Sequence, residues 1–170
     1  MLRFVTIQNF SNINSWTAGV GVNGIGIGDD GKEYSDGLLA GNADLSEIEI
    51  AMRYYAVAHF SKFIPVGSTK IQSEKNINDV TLVKEINENG DEITKTMKYA
   101  VNQVSYLTAE GKIVTVVVNE GAQRELKLEV DRDNMTVYAT KQEKQMEETY
   151  KGEITKITLP EKSIVTIVCE

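Results

Sequence analysis

The sequence is poor in the residues that build metal and redox sites. It contains one cysteine, Cys169, and one histidine, His59. A single cysteine excludes an internal disulfide and a cysteine-based zinc cluster, and a single histidine excludes a multi-histidine metal site. We therefore expect neither a metal centre nor a bound cofactor, and much of enzyme chemistry is already excluded.

Basic charge and long apolar runs are scarce as well. The chain has 18 Lys and Arg against 25 Asp and Glu, a formal net charge of −7. This balance disfavours nucleic acid and anionic membranes as partners, because both select a clustered basic surface. The uncharged stretch 11–28 is rich in glycine and polar residues, so no membrane span is expected.

What the chain does have suits a globular fold. Its 170 residues correspond to one domain, or to a domain with an appendage. Apolar residues make up 41%, enough for a hydrophobic core. Residues 1–10 lack the long apolar run and the small-residue cleavage site of a secretory signal peptide.

Residues 44–63 show the periodicity of an amphipathic helix. Apolar side chains recur at spacings of three and four, which predicts one face of a helix at about 45–62. The members of this face are Leu45, Ile48, Met52, Tyr55 and His59. Ser46 and Glu49 form a capping-box pair, and the helix must end before Pro65.

From residue 68 onward the apolar period changes to two, which predicts strands. Asn89-Gly90 lies between two alternating runs and predicts a hairpin, and a second hairpin surrounds the loop 108–111. The run 113–118 is almost wholly β-branched, as in a strand buried on both faces. The predicted strands are 81–87, 92–99, 103–107, 112–119, 124–130, 154–159 and 163–169.

The segment 140–150 has a helix-like composition but no apolar stripe, and we interpret it as a polar loop. Short strands separated by turn signals are typical of an antiparallel sandwich. The predicted fold class is therefore mainly β, an antiparallel β-sandwich over 66–170 with one amphipathic helix before it.

A glycine-rich segment matches a dinucleotide-binding pattern by letter alone. Residues 19–24 read G-x-G-x-x-G, but that motif must open a helix whose N-terminus holds the pyrophosphate. The following residues 25–31 alternate like a strand and end in a turn, and no βαβ unit surrounds them. We interpret the segment as a glycine-rich strand and loop.

Other chemically suggestive residues are better explained by structure. His59 and Ser61 lack a third partner for acyl transfer, so a packed, hydrogen-bonded histidine is expected. Cys169 ends an apolar run and is interpreted as a small buried hydrophobe. Two acidic groups lack the glycine and glutamate of a calcium loop and are interpreted as turns. They are Asp131, Asp133 and Asn134, and Asn87, Asn89 and Asp91.

Trp16 is the candidate substrate-binding residue. It lies in a polar, glycine-rich stretch, where it could stack on a sugar ring or pack in the core. The stacking alternative describes a non-catalytic carbohydrate-binding or cell-surface module, in which Tyr34, Tyr106 or Tyr138 could also contact sugar.

Residues 54–71 read Tyr-Tyr-Ala-Val-Ala-His-Phe-Ser-Lys-Phe-Ile-Pro-Val-Gly-Ser-Thr-Lys-Ile. This segment resembles the junction in glycoside hydrolase family 30, which includes glucocerebrosidase, where the last barrel helix runs into a β-sandwich. The segments 104–107, 112–119 and 159–166 resemble strands of the family's sandwich. The resemblance covers about residues 50–170, and the helix-to-strand motif is its most specific part.

The resemblance implies a (β/α)8 barrel fused to a sandwich and retaining hydrolysis by two glutamates, one of them in an Asn-Glu-Pro context. In this chain Glu88 and Glu120 follow asparagine but do not precede proline, and both lie in the sandwich region. We therefore expect no catalytic residue here and no hydrolysis by the chain alone, with both catalytic carboxylates upstream of Met1.

By the same resemblance, residues 1–65 are the remnant of the last barrel strand or strands and helix, and 66–170 are the sandwich. The expected role is structural support for the barrel, with carbohydrate bound by the full-length enzyme. The family is commonly exported or lysosomal. The apolar helix face would need cover, either from residues 1–43 folding back over it or from a homodimer through it.

Overall fold

The computed structural model describes residues 19–20, 26–27, 33–34, 38–41, 46, 48–74, 80–141 and 144–170. Within these ranges the chain consists mainly of strands with one helix, α1 (Met52–Ser61), which confirms the predicted fold class. The short strands before the helix are β1 (Gly19–Val20), β2 (Gly26–Ile27), β3 (Glu33–Tyr34), β4 (Leu39–Gly41) and β5 (Ile48–Ile50).

After α1 the described residues form ten strands, of which β7 and β8 pair only with each other. They are β6 (Thr69–Ile71), β7 (Val80–Ile86), β8 (Glu92–Tyr99), β9 (Val101–Leu107), β10 (Ile113–Asn119), β11 (Arg124–Lys127), β12 (Asn134–Lys141), β13 (Lys144–Glu153), β14 (Lys156–Leu159) and β15 (Ser163–Cys169). No helix among the described residues is long and apolar enough to cross a membrane.

Six of these strands form one antiparallel sheet in the order β13-β12-β15-β10-β9-β6. β10 is paired along its whole length with β9 and with β15, which makes it a central strand. Its Val114, Val116 and Val117 are each at most 1% exposed, so the β-branched run is buried on both faces as predicted.

The two faces of this sheet contact different elements. The inner face is covered in part by a second sheet made of β11 and β14, and Ile157 and Leu159 of β14 pack in the main core. The opposite, outer face packs against α1 and the residues that follow it, where Phe60 and Ile64 contact a cluster around Val104 and Val116. Because side chains alternate along a strand, successive residues of one strand contact the elements on opposite faces of the sheet.

The predicted hairpin at Asn89-Gly90 is confirmed. β7 and β8 pair antiparallel across it, with Val80 opposite Tyr99 and Ile86 opposite Glu92. The Asn87 side-chain oxygen accepts hydrogen bonds from the backbone N–H groups of Asn89 (2.9 Å) and Asp91 (2.8 Å), and Gly90 has a φ of +85°. These contacts identify the asparagines and the aspartate of this group as turn residues.

The predicted start of the helix is wrong. Ile48–Ile50 is strand β5, paired with β4, and α1 begins at Met52 after Ala51, whose backbone is extended. Because the segment Ile48-Glu49-Ile50 also alternates with period two, pairing with β4 satisfies its backbone better than an extra helical turn. Ser46 and Glu49 therefore do not cap the helix.

The apolar stripe predicted for this helix is consequently split. Ile48 lies in a strand, Met52 is 42% exposed and His59 is fully buried, while Leu45 lies outside the described residues. Only Met52, Tyr55 and His59 of the predicted stripe lie in α1, at spacings of three and four. Most of residues 1–43, which were expected to fold back over the stripe, lie outside the described residues, so the fold-back and the homodimer stay predictions.

The interpretation of residues 140–150 as a polar loop is wrong as well. The described residues among them, 140–141 and 144–150, belong to β12 and β13, which pair antiparallel, and β13 is an edge strand of the large sheet. An edge strand needs little apolar burial, and Met146 and Tyr150 are only half-buried between exposed polar and charged neighbours. Charged side chains on an edge also disfavour pairing with another chain, which explains a strand without an apolar stripe.

We predict that Ile167→Ala lowers the free energy of unfolding by about 2–5 kcal/mol, because the side chain is fully buried in the core. Ile86→Ala is the matched control, since Ile86 is 76% exposed, and should change it by less than about 0.5 kcal/mol. Urea unfolding followed by tryptophan fluorescence or circular dichroism measures both. Equal effects of the two substitutions would contradict this core.

Candidate functional site

A cleft of about 610 Å3 opens at the inner face of the large sheet, beside the region that β11 and β14 cover. Strands β9 and β10 form its floor, residues 125–130 form one wall, and β6 with residues 72–74 forms the other. A volume of this size is within the range of small-molecule binding sites.

The floor of the cleft combines apolar Ile113 and Cys169 with a polar pair. Ser105 on β9 and Thr115 on β10 are cross-strand partners, and their hydroxyl oxygens are 2.9 Å apart. The two residues are 3% and 6% exposed. Each of these two hydroxyl groups carries one hydrogen, and the bond between Ser105 and Thr115 uses one of the two. Because the described residues offer no other side-chain partner, the second hydrogen is available to an acceptor.

The rim of the cleft carries more acid than base. Among its described lining residues are Glu74, Glu125 and Glu129, with Lys127 as the basic one. Lys127 lies 3.3 Å from a carboxylate oxygen of Glu129, and Lys156 lies 3.5 Å from one of Glu125. Two of the three carboxylates are therefore ion-paired at the surface, and the rim is weakly acidic.

A second polar cluster joins α1 to the outer face of the sheet. His59 is fully buried, with Nδ1 2.7 Å from Thr166 Oγ1 and Nε2 2.8 Å from Thr140 Oγ1. Thr166 Oγ1 also donates to the His59 carbonyl at 3.2 Å, and Thr140 Oγ1 accepts the Met146 backbone N–H at 2.8 Å.

These contacts assign the tautomer of the histidine. Because the Thr166 hydroxyl gives its hydrogen to the His59 carbonyl, it accepts from Nδ1–H. Thr140 then donates its hydrogen to an unprotonated Nε2. The neutral Nδ1–H ring satisfies every group in the cluster, which confirms the packed histidine and leaves Ser61, an exposed residue, outside it.

Burial, and secondarily the positive charge of Lys62, lowers the pKa of His59 to about 4. The ordinary pKa of 6.5 applies in the unfolded chain. Between these values the unfolded chain binds a proton that the folded chain does not, so stability is complete above pH 6.5 and falls as the pH drops toward 4.

We predict that this linkage removes about 2–3 kcal/mol of the free energy of unfolding between pH 7 and pH 4.5. Urea unfolding of the chain and of His59→Gln at both pH values measures it, because the carboxylates titrate alike in the two proteins. Since His59 is the sole histidine, its ring protons also report the folded pKa directly by NMR. A pKa near 6.5 for His59 in the folded chain, or the same loss of stability in acid for both proteins, would contradict this prediction.

The sugar-stacking candidates are not brought together by the described residues. Trp16 lies outside them, so its role stays a prediction. Tyr34 lies in β3, and Tyr106 packs in the cluster on the outer face of the large sheet. The Tyr138 ring contacts Phe63 at 4.6 Å between centroids, so part of its surface is already occupied.

The other candidates have structural roles. Among the described residues, no group of three or more His, Cys, Asp and Glu side chains could hold a metal ion. Asp131 and Asp133 lie in the connection before β12, where Asp133 O accepts the Ile154 N–H at 3.0 Å. Cys169 is buried in the core, and this burial raises the pKa of its thiol, as expected for a small hydrophobe.

Glu88 and Glu120 are exposed in connections between strands, and neither lines the cleft. The described parts of the glycine-rich segment are strands, β1 and β2, which agrees with a strand rather than a nucleotide-binding helix start. Residues 21–25 lie outside the described residues.

The sequence analysis missed the cleft, although part of its signal is present. Gln103 and Ser105 alternate with Val104 and Tyr106, and therefore place polar side chains on the face where Val101 enters the core. Polar residues on the inner face of a sandwich strand indicate an uncovered area. That β11 and the residues after it stand beside this area, as a wall of the cleft, is a tertiary fact that no local pattern shows.

The C-terminal half of the chain resembles a domain of known glycoside hydrolases. Residues 92–167 match the sequence profile of the Glycosyl hydrolase family 30 beta sandwich domain. This match and the folds described next confirm the resemblance of the chain to the C-terminal region of that family. No curated protein sequence matches the chain.

Several solved structures share the fold. The catalytic domain of GH30 xylanase C from Talaromyces cellulolyticus has a TM-score of 0.70 at 18% identity, covering 99% of this chain and 33% of that one. A conserved exported protein from Bacteroides fragilis has a TM-score of 0.56 at 23% identity, covering 72% and 22%. A GH30 endoxylanase from Clostridium papyrosolvens C71 has 0.51 at 20%, covering 71% and 28%. The chain thus spans a third or less of the length of these proteins.

Proposed function

We propose that the chain is the C-terminal, sandwich-bearing portion of a family-30-like retaining glycoside hydrolase. In this proposal residues 1–65 supply the last barrel strand or strands and helix, and 66–170 form the sandwich that supports the barrel. The substrate of the whole enzyme is a β-linked glycan, in keeping with the relatives that are named xylanases.

The observation that carries the proposal is the attachment of α1 to the sandwich. His59 bonds α1 to two strands of the large sheet through Thr140 and Thr166, and no water reaches it. A helix that is fixed to the sandwich on one side also fixes the position of a domain that packs on its other side. This is the arrangement that a supporting domain needs.

Among the described strands before α1, one pairing favours a barrel remnant, whereas β2–β3 and β4–β5 pair antiparallel. β1 and β4 pair in parallel, with Gly19 opposite Leu39 and Val20 opposite Ala40. Parallel pairing is the rule in a (β/α)8 barrel, whereas the large sheet of this chain is antiparallel.

An apolar surface next to these strands suits a barrel as its partner. Leu39 and Ile50 are cross-strand neighbours in β4 and β5, and Met52 and Tyr54 follow in the first turn of α1. They are 36%, 46%, 42% and 42% exposed. Grouped exposed apolar side chains mark interaction surfaces.

Catalysis is assigned to sequence outside the chain. Retaining hydrolysis needs two carboxyl groups about 5–5.5 Å apart across the glycosidic bond. The two glutamates that follow asparagine are in exposed sandwich connections and do not flank a substrate cleft. We therefore expect no turnover of aryl glycosides by the purified 170-residue chain.

The decisive experiment is to read the DNA upstream of the Met1 codon and to express any in-frame extension. We expect an Asn-Glu-Pro segment there, aryl glycosidase activity in the extended protein, and loss of that activity when the glutamate of this segment becomes glutamine. Turnover by the 170-residue chain, or an upstream promoter and ribosome site with no such segment, would overturn the proposal.

The interface itself can be tested by charge. Met52→Lys should change the free energy of unfolding of the 170-residue chain by less than about 0.5 kcal/mol, because the side chain is exposed. In the extended protein the same change buries a charge against the barrel and should lower the melting temperature by several degrees. Val66→Lys, at a fully exposed turn, is the control and should be silent in both proteins.

A further inference from the structure

We propose that the cleft on the inner face of the sandwich binds a neutral, hydroxyl-rich ligand, a short oligosaccharide. This site belongs to the sandwich itself, and it does not depend on the supporting role proposed above. Four observations support it: the polarity of the floor, an available hydroxyl hydrogen, the charge of the rim and the size of the cavity.

The polarity of the floor indicates what can lie on it. Under β11 and β14 the inner face is apolar, with Val117, Val165 and Ile167 in the core. In the cleft the same face presents Ser105 and Thr115 beside Ile113 and Cys169. A further apolar strand placed there would leave the second hydroxyl hydrogen of the Ser105–Thr115 pair without an acceptor, at a cost of about 1–3 kcal/mol. The favoured occupant is one that makes hydrogen bonds.

The groups of the floor and rim match the groups of a sugar. The Ser105–Thr115 pair retains one hydroxyl hydrogen for a ligand oxygen. Gln103 is oriented by a 3.0 Å bond from Nε2 to the Glu74 carbonyl, and its amide oxygen can accept from a ligand hydroxyl. Carboxylates on the rim are further acceptors. A sugar hydroxyl both donates and accepts, so it uses every one of these groups.

The charge of the rim disfavours anionic ligands. Glutamates outnumber lysine around the opening, so an acidic sugar or a phosphate would be repelled. The pairing of Glu125 with Lys156 and of Glu129 with Lys127 also leaves little demand for a cation. A neutral ligand fits best, and Leu126 and Leu128 on the wall offer apolar contact for the C–H groups of a sugar ring.

The test is a titration of the 15N-labelled 170-residue chain, observed by two-dimensional NMR. The probes are xylotetraose and cellotetraose as neutral ligands and tri-galacturonic acid as the anionic comparison. We expect amide shifts concentrated at residues 103–105, 115 and 125–130 with a Kd on the order of 1 mM for a neutral probe. The anionic probe should leave these amides unchanged.

Variants connect the shifts to the cleft. Ser105→Ala combined with Thr115→Val removes both hydroxyls with little change in volume and should weaken binding at least about tenfold. Thr158→Val is the matched control, since Thr158 is exposed on β14, and should bind as the unchanged chain does. If the double variant does not fold, Gln103→Met on the half-buried rim serves instead, with the same expected loss.

Three results would overturn the proposal: no shifts at the cleft with either neutral probe, undiminished binding by the variants, or equal shifts with the anionic probe. The outcomes of this test are independent of the outcomes that test the supporting role of the sandwich. A chain that binds no sugar can still be the sandwich of an active extended enzyme, and a chain that binds sugar can lack any upstream barrel.

Discussion

The arrangement of the chain depends on one buried contact, the imidazole of His59 held between two threonine hydroxyls. It joins α1 to β12 through Thr140 and to β15 through Thr166, so the helix cannot slide along the sheet without leaving polar groups unpaired in a dry site. An unpaired buried group costs more than a hydrogen bond gains, so this contact fixes position more than it adds stability. The segments that precede α1 are positioned through it.

The alternation of side chains along a strand lets one sheet serve two purposes. On β15, Thr166 points to the helix while Val165 and Ile167 enter the core on the opposite face. On β9 and β10, valines line the contact with α1, whereas Ser105 and Thr115 face the cleft. The outer face therefore holds the helix, and the inner face is divided between an apolar area under β11 and β14 and a polar area that stays open.

Features set by neighbouring residues were predictable from the sequence, and features set by distant ones were not. The local sequence alone predicts the Asn89-Gly90 turn and the buried strand β10, and both predictions are confirmed. The predicted start of the helix was wrong because the alternating segment Ile48-Glu49-Ile50 fits a strand as well as a helix. Pairing with β4 makes this segment a strand. His59 was predicted to be packed, but its partners lie 81 and 107 residues away in the sequence. The cleft likewise depends on segments that are distant in sequence, since β6, β9, β10 and β11 all line it.

The two faces of the sheet also differ in how they respond to acid. Protonation of His59 puts a second N–H on the ring where the Thr140 hydroxyl now donates, so Thr140 must turn its hydrogen away while it still accepts from Met146. The loss is therefore local to α1 and to the β12–β13 hairpin. Among the described residues that are fully buried in the inner core, the Cys169 thiol is the titratable group, and burial raises its pKa further above the acid range. Acid thus acts first on the attachment of the helix, while the core and the polar floor of the cleft keep their contacts.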